Sequence, residues 1–355
     1  MGSVSAAQVE NGCRELLDQA GIVGKVLVEP IAGGRNNRVF KVVCRDVAYL
    51  LKVYFRHVHD PRDRLNTEFG FISFAWNGGI HAVPRPFACN PVSNMALYEY
   101  VRGQQPAAGR IDERFVHQSI AFFKALNRLR RHPQACRLPV ASEGCFSLHG
   151  HVATVDKRIQ TLLQMPRRDD PSRRAARIVE NELVPAWQRC QDRLWAQARR
   201  MGINALEELA VEQRCLSPSD FGAHNAIEEN GGSYRFIDFE YAGWDDPAKT
   251  VNDFFCQPQV PIPPNAYRPF LQSIAELFPR AEALIDRAWL LLPLYRIKWC
   301  CIMMNDFLPV GNARRRYAGG QPDRQRKAAQ IEKIRAMLNR GLQEATMGEV
   351  RDGMG

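Results

Sequence analysis

Three polar side chains in one short stretch constrain this chain more than any other part of its sequence. Asp220 and Asn225 stand in a DxxxxN spacing, and Asp238 ends a short, mostly apolar run of β-type residues, 234–237. A turn of one asparagine and two glycines, residues 230–232, leads into that run. An Asp with an Asn five places on should occur about once by chance in a chain of this length. The spacing alone therefore does not indicate a functional site, and the hairpin around it and the residues upstream supply the further evidence.

Phosphoryl transfer is the chemistry that fits these residue types in this order. Moving a phosphoryl group from a nucleotide requires a carboxylate that orients the accepting hydroxyl, and oxygen ligands that hold Mg²⁺ against the phosphates. Asp220 would take the first role, as the catalytic residue. Asn225 and Asp238 would take the second role, as metal ligands.

Lys52 is the most informative residue upstream of this stretch. It lies inside the apolar strand LLKVYF, where a buried ammonium without a partner would be costly. A nucleotide phosphate and a carboxylate would supply the partners, and the carboxylate candidate is Glu68, in a segment with apolar residues at helical spacing. An edge-strand lysine that faces water is the alternative.

The first hundred residues otherwise predict a small antiparallel sheet. A short helix over residues 9–20 precedes β-branched and aromatic runs, with Gly33 and Gly34 in the first strand-to-strand turn. Glycines in such a turn let backbone amides approach phosphate oxygens, although most glycine pairs only make hairpins. The predicted strands cover residues 26–28, 39–43, 49–55, 85–89 and 95–100. Five strands and one further helix would form a nucleotide-clamping lobe.

The remainder of the chain predicts helices. A loop is expected over residues 133–150, and Pro293 predicts a kink or a helix boundary. The predicted helices cover residues 112–130, 152–198 (one or two helices), 267–278, 283–308 and 324–345. We therefore expect two domains, residues 1–102 and residues 103–355.

Composition limits the protein class. With 45% hydrophobic and 24% charged residues in 355, the chain resembles an ordinary globular protein. The ten cysteines contain no CxxC pair, which favours reduced thiols in a cytoplasmic protein over a zinc cage or a disulfide framework. No secretory signal is recognisable. The longest apolar run near the C-terminus, residues 288–295, is far short of the roughly twenty residues of a membrane span.

The formal net charge of +10 is concentrated near the C-terminus. Residues 312–340 carry nine basic and two acidic side chains. Such a segment could meet nucleic acid, anionic lipid or an acidic partner. A solvated helix face would give the same pattern, and we expect no nucleic-acid partner from it alone.

Taken together, these motifs resemble the aminoglycoside phosphotransferase and choline kinase-like superfamily of small-molecule kinases. SPSDFGAHN resembles its catalytic loop, IDFEYAGWDDPAKTVNDF its metal-binding segment and YLLKVYF its nucleotide-lysine strand. The resemblance implies an α+β, bilobal protein kinase-like fold, with a small antiparallel β-sheet N-lobe and a larger, mainly helical C-lobe. It further implies ATP and Mg²⁺ as cofactors.

The resemblance also assigns the nucleotide-binding residues. IAGGRNNRVFKV is similar to the glycine turn of the family, which makes Gly33, Gly34 and Asn37 candidates. Glu68 is similar to the helix glutamate that pairs with the lysine, here Lys52. ALYEYVRG resembles the hinge, whose backbone would hold the adenine edge at Glu99, Tyr100 and Val101.

One position departs from the pattern. The residue two before Asp220 is usually histidine in this superfamily and is Pro218 here, which bears on loop geometry and rate. His224, beside Asn225, is a possible base, but the neighbour of a metal ligand more often packs or hydrogen-bonds locally.

We expect phosphorylation of a hydroxyl on a small molecule, a sugar, amino sugar or amino alcohol. The candidates for binding this acceptor are acidic or aromatic: Glu240, Trp244, Asp245, Trp299 and Asp306. The two tryptophans could equally be core residues. A nucleotide-binding regulatory protein without phosphotransfer is the alternative that Pro218 raises, and a nucleic-acid or membrane-surface binder is the one that the basic segment raises.

Overall fold

The computed structural model describes residues 4–31, 36–318 and 325–338. Two of the predicted nucleotide-binding residues, Gly33 and Gly34, lie outside the described residues. All ten cysteines lie within them and are free thiols, so the chain has no disulfide framework. None of the helices in the described part is long and apolar enough to cross a membrane.

A five-stranded antiparallel sheet forms near the N-terminus. Its strands are β1 (Val26–Ile31), β2 (Arg38–Cys44), β3 (Val47–Val53), β4 (Pro86–Asn90) and β5 (Met95–Glu99). They lie in the order β1-β2-β3-β5-β4. Helices α1 (Ala6–Gln19) and α2 (Arg64–Asn77) accompany the sheet. Leu16 and Leu17 of α1 share one hydrophobic core with Val42 and Leu51 of the sheet. The predicted strands are thus present.

Most of the remaining chain is helical. The helices are α3 (Glu113–Arg128), α4 (Leu148–Leu163), α5 (Asp170–Ile178), α6 (Val184–Arg200), α7 (Pro247–Cys256), α8 (Tyr267–Ala275), α9 (Ala281–Met303) and α10 (Pro309–Tyr317), and residues 325–338 are also helical. Short strands lie between them: β6 (Cys215–Ser217), β7 (Ala226–Glu228), β8 (Tyr234–Phe236) and β9 (Gly243–Asp245). A small antiparallel sheet with a mainly helical remainder is the predicted α+β arrangement.

Three details differ from the sequence prediction. Helix α4 begins inside the predicted loop, because the Ser147 side chain accepts a hydrogen bond from the Gly150 amide and caps it. A π-helical turn, Val179–Leu183, joins α5 to α6 within the segment predicted as one or two helices. Pro293 lies inside α9 and is not a boundary.

The chain divides into two compact units. The first contains Met1–Ser142, Leu216–Trp244 and Ala313–Gly320, and the second contains Glu143–Cys215, Asp245–Asn312 and Gln321–Gly355. The predicted catalytic, nucleotide and metal residues that the structure describes all belong to the first unit. The functional boundary after residue 102 stays a prediction.

Candidate active site

The hairpin of β7 and β8 brings the two ends of the metal-binding pattern together. Ala226 pairs with Phe236 and Glu228 with Tyr234, so that Asn225 and Ile237 flank the same end of the hairpin. The Ile237 amide donates to the Asn225 carbonyl at 2.9 Å. Because Asp238 is the next residue, the hairpin places Asn225 and Asp238 at neighbouring positions.

Asp220 lies in the loop between β6 and a single 3₁₀ turn, Ala223–Asn225. The Asn225 Nδ2 donates to the backbone carbonyl of Asp220 at 2.9 Å. His224 approaches the carboxylate itself, with Nε2 at 3.1 Å from Oδ1. The Asp220 side chain is 28% exposed, so part of the carboxylate remains accessible to solvent.

Lys52 connects the sheet and α2 to the segment that contains Asp238. Its side chain is 8% exposed, and Nζ lies 2.6 Å from Glu68 Oε2 and 2.6 Å from Asp238 Oδ1. The other oxygen of Glu68 accepts a hydrogen bond from the Phe239 amide at 3.2 Å. Lys52 and Glu68 are thus in contact, and both hold the segment that follows β8.

The charged groups in this network shift one another's pKa values. Burial would lower the pKa of Lys52, but the Asp238 and Glu68 carboxylates outweigh it and raise that pKa well above 10.5. Burial raises the pKa of Glu68 to about 7, against the effect of Lys52. The pKa of Asp238 is raised by burial, opposed by Lys52, and raised further by Glu240 and Asp220. A carboxylate destabilised by burial and by neighbouring negative charges is a position that favours a cation.

No group of three or more His, Cys, Asp or Glu that could hold a metal is present in the described part of the chain. That is compatible with Mg²⁺ bound together with a nucleotide, since Mg²⁺ is then held by one or two carboxylates, phosphate oxygens and water. Asn225 and Asp238 offer an amide and a carboxylate oxygen of the hard type that Mg²⁺ prefers. The donation from Asn225 Nδ2 to Asp220 assigns the amide oxygen as the end available to a cation.

Glu240 occupies a setting that the sequence does not predict. It is 2% exposed, and Asn36 Nδ2 and Asn37 Nδ2 each donate to one of its oxygens at 2.7 Å. Burial would raise the pKa of Glu240, but Lys52 and Arg64 lower it. Asn37 also accepts a hydrogen bond from the Phe55 amide at 3.0 Å. Glu240 therefore holds the residues that follow the glycine turn, and its contact with an acceptor stays a prediction.

The predicted hinge follows directly from the sheet. Glu99 ends β5 and forms an ion pair with Arg235 of β8 at 2.6 Å. Tyr100 lies under the Lys41 ammonium, which is 5.4 Å from the ring centre, and Val101 is buried. Two backbone hydrogen bonds, at 2.8 and 3.1 Å, then join Gln104 to Glu228 of β7. The connector that leaves the sheet is thus tied to the hairpin between Asn225 and Asp238.

The other predicted acceptor residues have protein partners. In the first unit, Trp244 Nε1 donates to the Ala135 carbonyl at 2.9 Å. In the second unit, Lys249 pairs with both Asp245 and Asp253, and Trp299 Nε1 donates to Asp253 at 2.9 Å. Asp306 forms an ion pair with Arg326 at 3.3 Å. Contact of these residues with an acceptor stays a prediction.

Sequence reasoning missed several of these contacts. The bond from His224 to the Asp220 carboxylate had one signal, an i, i+4 spacing within the loop. The pair of asparagines after the glycine turn was the signal for the Glu240 contacts, but only the fold brings positions about two hundred residues apart together.

Comparisons with known proteins give a consistent result. The family model described as "Phosphotransferase enzyme family" matches residues 27–267 of the chain. A comparison with curated protein sequences found no match.

Solved structures share the fold at low sequence identity. A choline kinase from Cryptosporidium parvum Iowa II is 12% identical with a TM-score of 0.55, covering 95% of this chain and 97% of that one. An ethanolamine kinase from Plasmodium vivax is 15% identical with a TM-score of 0.57, covering 91% of each chain. A spectinomycin phosphotransferase in complex with ADP and spectinomycin is 13% identical with a TM-score of 0.58, covering 94% of this chain and 99% of that one. These similarities confirm the predicted protein kinase-like fold.

Proposed function

The chain belongs to the phosphotransferase enzyme family, and on that premise we propose that it transfers the γ-phosphoryl group of ATP to a hydroxyl of a small molecule, with Mg²⁺. The family membership confirms the resemblance on which the sequence interpretation rests. It supports a small-molecule phosphotransferase. The nucleotide, the metal and the class of acceptor belong to the proposal.

One observation carries the proposal. Lys52 lies within 2.6 Å of carboxylates from two separate segments, Glu68 of α2 and Asp238 after β8. The hairpin joins Asp238 to Asn225, and Asn225 in turn holds the backbone of Asp220. A cation for phosphates, two metal-binding oxygens and a carboxylate for the acceptor hydroxyl thus converge within one compact unit.

Each residue has a defined task in this proposal. Glu68 holds the Lys52 ammonium in a position to bind nucleotide phosphate oxygens. Asn225 and Asp238 would hold Mg²⁺, which when bound neutralises charge on the phosphates. Asp220 orients the acceptor hydroxyl and accepts its proton. Because the transition state of phosphoryl transfer is loose, positioning and electrostatics supply most of the rate.

The neighbouring structures support the cofactor and the type of acceptor. One of them is in complex with ADP and spectinomycin, and two are a choline kinase and an ethanolamine kinase. We extend this to the present chain as an adenine nucleotide donor and a sugar, amino sugar or amino alcohol as acceptor.

The test is a screen for ADP release with Mg²⁺ and ATP across sugars, amino alcohols and aminoglycosides. With the acceptor found, Asp220→Asn should lower kcat by about 10²- to 10⁴-fold, because it removes the proton acceptor. Asp192→Asn makes the same chemical change at an exposed carboxylate and should leave kcat unchanged. Unchanged turnover in Asp220→Asn would remove Asp220 from the mechanism.

A nucleotide-binding protein without phosphotransfer is the second candidate. Pro218 is buried two residues before Asp220, and Ser219 between them has a left-handed backbone with φ of 66°. This loop differs from the histidine-containing loop usual in the superfamily. Tight ATP binding without ADP release across the whole acceptor panel would favour this candidate.

A further inference from the structure

The catalytic loop contains a histidine that contacts the proposed proton acceptor directly. His224 Nε2 lies 3.1 Å from Asp220 Oδ1, and the His224 residue is only 9% exposed. Pro218, two residues before Asp220, has no side-chain hydrogen-bond donor. The residue four positions after Asp220 therefore supplies a contact with the carboxylate that Pro218 could not supply.

Hydrogen-bond chemistry determines which nitrogen of His224 carries the proton. An ionised carboxylate only accepts hydrogen bonds, so the nitrogen that faces Asp220 must be the donor. His224 Nε2 is then protonated. Nδ1 is buried and has no hydrogen-bond partner among the described residues. A proton on Nδ1 would be a buried donor without an acceptor, which is costly, so the hydrogen bond to Asp220 places the ring proton on Nε2.

The backbone of His224 is fixed by hydrogen bonds that do not involve the Asp220 carboxylate. Gln105 Nε2 donates to the His224 carbonyl at 3.1 Å. The Asn225 amide donates to the Gly222 carbonyl at 3.0 Å and closes the 3₁₀ turn that contains His224. A buried ring on this fixed backbone can hold a neighbouring carboxylate in one orientation.

We propose that His224 is a positioning residue, whose Nε2–H fixes the orientation of the Asp220 carboxylate toward the acceptor hydroxyl. This inference rests on the proposed function. Asn225 holds the backbone of Asp220, and His224 holds its side chain. Two anchors of this kind restrict both the place and the rotation of the carboxylate, and the rate of proton acceptance depends on that geometry.

Two substitutions separate the hydrogen bond from the ring. His224→Gln keeps an amide donor at a position comparable to Nε2, and His224→Leu keeps apolar bulk without a donor. We expect His224→Leu to lower kcat by about tenfold to a hundredfold, the typical effect of losing a hydrogen bond to a charged group. The KM for ATP should stay unchanged, and His224→Gln should retain kcat within about threefold. Equal losses in both variants, or a loss confined to KM, would overturn the proposal.

A double-mutant cycle tests whether His224 acts through Asp220. In the Asp220→Asn background, His224→Leu should change kcat by less than about twofold, because the group that it positions is already gone. A loss as large as in the wild-type background would mean that His224 only supports the loop, which would overturn the proposal.

A measurement that needs no acceptor completes the test. The ¹⁵N NMR shifts of the His224 ring in the full-length wild-type chain should report a proton on Nε2 and a bare Nδ1, and the shift of Nε2 should change in Asp220→Ala. A proton on Nδ1, or ring shifts indifferent to Asp220→Ala, would overturn the inference. Failure of the proposed function would instead appear as no phosphotransfer by the wild-type chain, with these ring shifts as expected.

Discussion

Lys52 lies between the buried carboxylate of Glu68 and the partly exposed carboxylate of Asp238, and its loss would remove a counter-charge from both. A lysine within an apolar strand predicts a carboxylate partner, and Glu68 in the next helix was the candidate that the sequence offered. The second partner, Asp238, is 186 residues away, and no local pattern indicates that contact. The same reason explains why the Glu240 contacts with Asn36 and Asn37 could not be predicted.

We predict that Lys52→Met lowers the free energy of unfolding by roughly 3 kcal/mol, because removing one partner of a buried ion pair leaves uncompensated charge. Adding Glu68→Gln should recover part of that loss, since it removes one of the stranded charges. Urea denaturation measures both effects, with Lys25→Met at an exposed position as the control. A Lys52→Met protein as stable as wild type would show that the network does not contribute to folding.

His151 provides a pH test in the second unit. Its Nε2 lies 3.0 Å from Asp246 Oδ2 and its Nδ1 2.7 Å from the Tyr295 hydroxyl. Burial lowers the pKa of His151 below 6.5, against the effect of Asp246. As pH falls below 6.5, the unfolded chain therefore takes up a proton that the native chain does not, and stability is lost.

The unfolding free energy should thus fall between pH 7 and pH 5 by up to about 1.4 kcal/mol per pH unit from His151 alone. His151→Gln should show a correspondingly smaller fall over the same range, whatever its stability at pH 7. Urea denaturation at several pH values measures the two slopes. Parallel slopes would contradict the account of this histidine.

At the scale of elements, the β7–β8 hairpin does most to assemble the site. Its turn, its β-type residues and the order of Asn225 and Asp238 are all visible in the sequence. The segment of residues 148–200 was predicted less well, because one or two helices were expected over 152–198 and three are present, α4, α5 and α6. The Ser147 cap and the π-helical turn before Pro185 were also not predicted.

The asparagines after the glycine turn provide a matched pair for testing an element-scale contact. Both donate to Glu240 at 2.7 Å, but Asn37 is buried and also accepts from the Phe55 amide, whereas Asn36 is half-buried. We expect Asn37→Ala to lower the unfolding free energy by about 1–3 kcal/mol, because it leaves buried groups unpaired.

Asn36→Ala should lower it by less, since water can replace part of that contact. Urea denaturation of the two variants gives the comparison. A larger loss for Asn36→Ala than for Asn37→Ala would contradict the assignment of Asn37 as the buried anchor.

At the scale of the whole molecule, family, fold class and the order of the motifs could be predicted from sequence. The acceptor could not, because kinases of different small molecules share the same nucleotide motifs, and the acceptor candidates Asp245 and Asp306 have protein partners, Lys249 and Arg326. The structure also bears on the role of the basic C-terminal segment, residues 312–340. Three of its basic residues have partners within the protein. Arg314 donates to the Tyr241 hydroxyl. Arg326 contacts Asp306 and Asn312, and Lys327 contacts Asp169. Part of that charge therefore stabilises the chain, and less remains for nucleic acid or lipid.

Binding of Mn²⁺ in the presence of ATP, followed by electron paramagnetic resonance, tests the proposed nucleotide and metal site without knowledge of the acceptor. We expect one Mn²⁺ bound together with the nucleotide in the wild-type chain, lost in Asp238→Ala and retained in the exposed control Asp192→Asn. Undiminished Mn²⁺ binding in Asp238→Ala would contradict the claim that Lys52, Asn225 and Asp238 form one nucleotide and metal site beside Asp220.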